Sequence, residues 1–226
     1  MSFKEFMFKH PFTCIIAGPT YSGKTYWMRQ FLENWEYLID KLNKDHLRVL
    51  WCHGMDQNLH KIPIENIDVN YYEGVPNTDE IKTLMPDIIV LDDLMNEMKN
   101  NIDIKNLFTK TAHHMNISVF YIVQNLFHQD KIMRDISLNT HYVVVMRGPR
   151  MTQQIGSFAQ QIFPRYSRQI MNVYKDATKE PFSYLLFDLH PLSDEKFSLR
   201  TRIFKQELLP DLASVIYSAP ICYELK

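Results

Sequence analysis

Residues 15–27 read "IIAGPTYSGKTYW", an apolar stretch that turns through a glycine-bracketed loop into aromatic residues. From Gly18 to Thr25 the spacing is G-x-x-x-x-G-K-[ST]. This pattern constrains the fold severely, because it works only where a buried strand stops and a helix starts. Gly18 and Gly23 permit backbone conformations and close approaches that a Cβ would obstruct. Backbone N–H groups along the loop can then turn inward on phosphate oxygens, aided by the positive end of the following helix. Lys24 is placed to reach the terminal phosphates, and the Thr25 hydroxyl to ligate Mg²⁺. Pro19, Thr20, Tyr21 and Ser22 within the loop, and Tyr26 just beyond it, complete the expected nucleotide-binding set. The chain holds only 6 Gly, and two of them stand here, which disfavours an ordinary glycine turn. The loop implies ATP, or GTP, bound with Mg²⁺.

The remaining apolar runs extend this reading. "RVLWC", "DVNYY", "DIIVLDD", "ISVFYIVQN" and "HYVVVMR" are short, largely β-branched and bounded by turn residues. Continuous runs of this kind predict strands buried on both faces, as in a parallel sheet covered by helices. Met28, Phe31, Leu32 and Trp35 follow i, i+3, i+4, i+7 spacing, one face of a helix after the loop. Further helices are expected from about 101 to 114 and from about 151 to 163. Near the end, "SYLLFDLH" and "LRTRIF" predict two more strands before a short tail. No low-complexity segment, repeat or linker divides the sequence, so one α/β domain over 1–226 is expected.

A phosphate loop needs a second carboxylate for Mg²⁺, at the end of a neighbouring buried strand. "DIIVLDDL" supplies one: Ile88 to Leu91 are apolar, and Asp92 and Asp93 follow. Asp92 is assigned to the Mg²⁺ shell and Asp93 to the attacking water, one methylene shorter than the Glu that many relatives carry. Standing alone, such a pair could equally cap the next helix. "ISVFYIVQN" ends in Gln124 and Asn125, where an amide can sense the terminal phosphate or merely close a turn. In "MRGPR", Arg147 and Arg150 flank a Gly-Pro turn, and either could stabilise charge on a phosphate held by a neighbouring subunit.

Composition excludes several classes. A net charge of −1 gives no global field toward DNA or anionic membrane, so nucleic-acid contact needs a local patch or many copies together. Cys14, Cys52 and Cys222 are scattered, without a C-x-x-C pair, which suits a reducing compartment. Cys52 and His53 with His60 lack the ligand spacing of a zinc site. His113 and His114 are expected to close a helix, where they suit its dipole. Tyr71 and Tyr72 read as strand residues. No apolar run approaches the roughly 18 residues needed to span a bilayer, and the N-terminus lacks a leader's apolar stretch; an intracellular protein without a membrane anchor is expected. No guanine-reading N-K-x-D follows a later strand, no arginine-rich lid is present, and strands rather than a helical lid end the chain. The length is about half that of a two-lobed helicase.

"GPTYSGKT", "IIVLDDLM", "NISVFYIVQNLF" and "NTHYVVVMRGPRMTQQIGSFAQQIFP", in this order, resemble viral genome-packaging ATPases of the FtsK–HerA superfamily. The resemblance is to the compact type of poxviruses, virophages, Polintons and adintoviruses, and covers residues 10 to 205. It implies a RecA-like P-loop fold of the ASCE type and an ATP-driven translocase acting as a ring on double-stranded DNA without sequence specificity. It further implies capsid or portal-vertex partners, and a location at a viral assembly site in the host cell or in the virion. Lys24 and Thr25 then bind ATP and Mg²⁺, Asp92 and Asp93 form the Walker B pair, and Gln124 matches the strand-end sensor. A finger acting in trans is expected, without a choice between Arg147 and Arg150. Lys99, Lys105, Lys110, Arg165 and Arg168 are read as solvated surface. A translocase of conjugation or segregation and a nucleotide-dependent capsid assembly switch are the alternatives.

Overall fold

The sheet is built around the strand that feeds the glycine loop. In the computed structural model the described residues are 3–42, 44–54, 63–94, 106–108, 112–126, 136, 138–207 and 215–217. Among them, strands β2 (Thr13–Ala17), β4 (Leu47–His53), β5 (Ile67–Glu73), β6 (Ile88–Asp92), β7 (Ser118–Val123) and β8 (Tyr142–Met146) run parallel. β9 (Tyr184–Asp188), β10 (Leu199–Thr201) and β11 (Val215–Tyr217) continue the same sheet antiparallel. The order is β11-β10-β9-β8-β2-β7-β6-β4-β5. Two-residue strands β1 (Phe8–Lys9) and β3 (Ile39–Asp40) pair separately.

The apolar runs are continuous because both faces of each central strand are covered. Ile15, Ala17, Ile89, Leu91, Val143 and Val145 point to one side, while Cys14, Ile16, Ile88, Val90 and Val144 point to the other. Helix α1 (Lys24–Glu33) lays Trp27, Met28, Phe31 and Leu32 on the second face. A break at Asn34 separates it from the single turn α2 (Trp35–Leu38), so Trp35 is buried from a separate helix. The first face is covered by Ile81 of α3 (Thr78–Leu84), by α5 (Met151–Ile162) and by α6 (Ser167–Ala177). α4 (Ala112–His114) is one short turn before β7. Each large apolar side chain buried this way contributes about 1.5–3 kcal/mol.

The mainly parallel sheet, its flanking helices and the added C-terminal strands match the sequence expectation. Three differences stand out. "LRTRIF" is a strand only to Thr201, because Arg202 takes a left-handed φ of 54° and turns the chain. β11 adds a strand beyond the two expected. α6 has no counterpart in the sequence expectation, since only Ile170, Tyr174 and Ala177 of its 11 residues are buried. The expected 101–114 helix falls largely outside the described residues, apart from 106–108 and α4. No helix among the described residues is long and apolar enough to cross a membrane.

Candidate nucleotide site

β2 ends at Ala17, and residues 18–23 carry the chain into α1. The Gly18 N–H donates to the Val123 carbonyl at 3.1 Å, tying the loop to the end of β7. Both glycines are required, for different reasons. A Cβ on Gly18 would come within 2.6 Å of Ser22 Oγ and 2.7 Å of Met146 Cβ, whereas Gly23 holds a φ of 95°. Within the loop, the Ser22 N–H donates to the Pro19 carbonyl at 3.2 Å. Lys24 Nζ donates to the carbonyls of Gly18 at 2.7 Å and Pro19 at 3.0 Å, so the ammonium lies inside the curve of the loop.

A cleft of about 250 Å³ is lined by residues 20–26 together with Asp92, Asp93, Ile122 and Gln124. Lys24, Thr25, both aspartates and Gln124 therefore converge, although the loop and the acidic pair are far apart in sequence. β7 stands between β2 and β6 in the sheet. That order places the end of β7, and Gln124 with it, beside both. Asp92 is buried at 5% exposure while Asp93 is exposed, with a left-handed φ of 52°. Burial pushes the Asp92 carboxyl up to about 6; Asp93 adds to this, and the Trp51 indole and Lys24 oppose it. Burial also pulls the Lys24 ammonium down, against the attraction of Asp92 and Asp93. Gln124 Nε2 is 3.4 Å from Asp93 Oδ1. Thr25 and Asp92 offer a hydroxyl and a carboxylate within one cleft, the hard oxygen donors that Mg²⁺ takes.

Solved structures similar to this chain include two viral ones. The DNA-packaging ATPase B204 of Sulfolobus turreted icosahedral virus shares 13% identity over 80% of this chain and 94% of its own, with a TM-score of 0.51. The genome packaging NTPase B204 of Sulfolobus turreted icosahedral virus 2, in complex with sulfate, shares 12% over 79% and 92%, with a TM-score of 0.50. At these identities the likeness speaks to the fold. The fold is that of a RecA-like P-loop ATPase. No family model matches the sequence, and no curated protein matches it.

Not every expected residue reaches the cleft. Gly18 and Pro19 shape the loop from behind and present carbonyls to Lys24. Arg147 and Arg150 are exposed, and neither lines the cleft. Their turn nevertheless abuts the loop, since a Cβ on Gly148 would come within 2.8 Å of the Pro19 ring. Asn125 accepts from Gln154 Nε2 at 3.1 Å, a bracing role against α5. Cys52 is buried in β4 with its thiol pushed up by burial, and His113 and His114 end α4. Tyr71 and Tyr72 lie half-buried in β5. His60, Cys222, Lys99, Lys105 and Lys110 lie outside the described residues. Sequence reasoning passes over Phe182, which packs on Gly23 from the loop before β9. Its one signal is a lone aromatic in the turn segment "TKEPFS".

Proposed function

We propose that this chain is a Mg²⁺-dependent ATPase motor that packages viral double-stranded DNA into capsids, working as a ring of identical subunits. The observation that carries the reading is the convergence of Lys24, Thr25, Asp92, Asp93 and Gln124 in one cleft beside a glycine loop. The similar solved structure is described as a DNA-packaging ATPase, and the resemblance in "IIVLDDLM" and "RGPR" points the same way.

In this reading the loop's N–H groups and Lys24 hold the phosphates of ATP. Thr25 and Asp92 hold Mg²⁺, which when bound neutralises phosphate charge as the terminal group leaves. Asp93 accepts the proton of the attacking water, and Gln124 fixes the carboxylate that does so. Arg147 or Arg150 of an adjacent subunit supplies positive charge to the transferring phosphoryl group. A subunit with a net charge of −1 need not bind DNA by itself, because a ring can gather a few cations from each copy on its axis. Such contacts go to phosphates and carry no sequence preference. Capsid or portal-vertex proteins are the partners this task requires, in the infected cell or the virion.

The test is ATPase rate against duplex DNA length, with oligomer mass measured on the same sample. Stimulation that grows with duplex length, abolished in Lys24→Ala, is expected. An assembled protein indifferent to long duplex DNA would sink the packaging reading and leave only the ATPase.

A further inference from the structure

We propose that Phe182 stacks on the base of the bound nucleotide, so that the loop between α6 and β9 forms the base end of the site. The inference rests on the nucleotide-binding reading of the glycine loop and adds the residue that contacts the other end of the ligand.

Phe182 is 63% exposed, an unfavourable placement for a large apolar ring. Among the described residues six large hydrophobic side chains are exposed, and three of them, Tyr21, Tyr26 and Phe182, border the phosphate loop. That concentration marks this surface as one with something to cover. Phe182 differs from the two tyrosines in position. A Cβ built on Gly23 would come within 3.1 Å of Phe182 Cδ1 and 3.5 Å of Phe182 Cβ, so the ring rests directly on the glycine that precedes Lys24. Its φ of 60° is left-handed, which a bulky side chain disfavours, and such strain survives only where the surroundings impose it.

The sheet order supplies the direction. Asp92, Asp93 and Gln124 lie on the β7–β6 side of β2, whereas Phe182 precedes β9 on the β8–β9 side. A nucleotide with its terminal phosphate toward the aspartates must run its other end away from them, across Gly23 and toward Phe182. A phenyl face suits that end, because every base offers a π-surface and stacking needs no hydrogen-bond pattern. The same chemistry makes Phe182 indifferent between adenine and guanine, with larger purines held better than pyrimidines.

Calorimetric titration of the full chain with ATP, GTP, CTP and inorganic tripolyphosphate tests this. Phe182→Ala is expected to weaken ATP and GTP by about tenfold, to weaken CTP less, and to leave tripolyphosphate unchanged. Phe182→Trp should keep nucleotide affinity. Equal ATP affinity in Phe182→Ala and the wild type overturns the proposal. Equal loss of ATP and tripolyphosphate overturns it too, since the ring would then be a wedge that shapes the loop. A wild-type chain that binds neither ligand overturns the nucleotide reading and this inference with it, whereas Lys24→Ala losing both while Phe182→Ala loses only nucleotides supports the two together.

Discussion

Gln124 Nε2 lies 3.4 Å from Asp93 Oδ1, joining an amide at the end of β7 to a carboxylate just past β6. The pairing follows from strand order, because β7 stands between the loop strand and the acidic strand. If Asp93 takes the proton and Gln124 orients it, each depends on the other. Asp93→Asn and Gln124→Ala should each lower kcat by on the order of a hundredfold, with ATP affinity changed by less than about threefold. The double variant should lose far less than the product of the two losses. Steady-state rates beside equilibrium binding check this; fully multiplicative losses would show that the two side chains act separately.

Gly148 presses on Pro19. An added Cβ would stand 2.8 Å from Pro19 Cδ and Cγ and 3.1 Å from Met151 Cγ. A proline ring is fused to the backbone, so the glycine loop itself or the Arg147–Arg150 turn must shift to make room. Gly148→Ala is expected to cost about 1–3 kcal/mol in denaturant unfolding and to weaken ATP binding. Unchanged binding would mean the turn yields while the loop keeps its shape.

The sequence is most readable where chemistry demands particular residue types at fixed spacing. Gly18 to Thr25, Asp92, Asp93 and Gln124 each follow an apolar run that ends on schedule, and the structure gathers Lys24, Thr25 and the three later residues in one cleft. Runs such as Ile88–Leu91 announce strands covered on both faces. What fails to show is set by long-range pairing or by single residues. Arg200, a charged residue within "LRTRIF", is only 1% exposed, because Asp188, twelve residues earlier, accepts its hydrogen bond and balances its charge. Phe182 has no periodic companions, so only its place against Gly23 gives it meaning.

The buried pair itself makes a stability prediction. Arg200 donates to Asp188 Oδ2 at 2.7 Å and to the Phe6 carbonyl at 2.5 Å, between β9 and β10. Arg200→Met strands a carboxylate that is only 4% exposed, and should cost about 3–5 kcal/mol. Adding Asp188→Asn removes the orphaned charge while keeping an acceptor for the His190 N–H. Chemical denaturation should therefore find the double variant more stable than Arg200→Met alone. A double variant weaker than the single would refute this account.

His141 ties stability to pH. The Thr13 N–H donates to His141 Nδ1 at 3.1 Å, so the folded ring is neutral at that nitrogen. Burial, then the charges of His190 and His113, lowers its pKa to about 4, against the pull of Asp188. Between the ordinary value near 6.5 and about 4, the unfolded chain takes up a proton that the folded ring refuses. Stability from this group is thus fully present above the ordinary value, declines as the pH falls, and levels off below the folded one. With solvent screening of this half-buried ring allowed for, the loss is on the order of 1 kcal/mol across the window. His141→Asn keeps an acceptor for Thr13 without titrating, so its stability profile should be flatter over that range. An unchanged slope would assign the acid sensitivity to other groups.

Arg147 and Arg150 are separated by the Gly-Pro turn, exposed, and outside the cleft of their own chain. A cation in that position contributes to hydrolysis only if it reaches a nucleotide on another subunit. The residue that does so should lower kcat on the order of a thousandfold when replaced by Ala, with ATP still bound. Mixing separates the two candidates. Lys24→Ala subunits have a disabled loop but intact arginines, and the arginine variants have the reverse. Two inactive preparations that regain activity on co-assembly identify the finger, because the intact loop of one subunit then meets the intact arginine of its neighbour. If neither Arg147→Ala nor Arg150→Ala is complemented by Lys24→Ala in rings of normal mass, the "RGPR" turn does not act in trans, and its contact with Pro19 becomes its principal role.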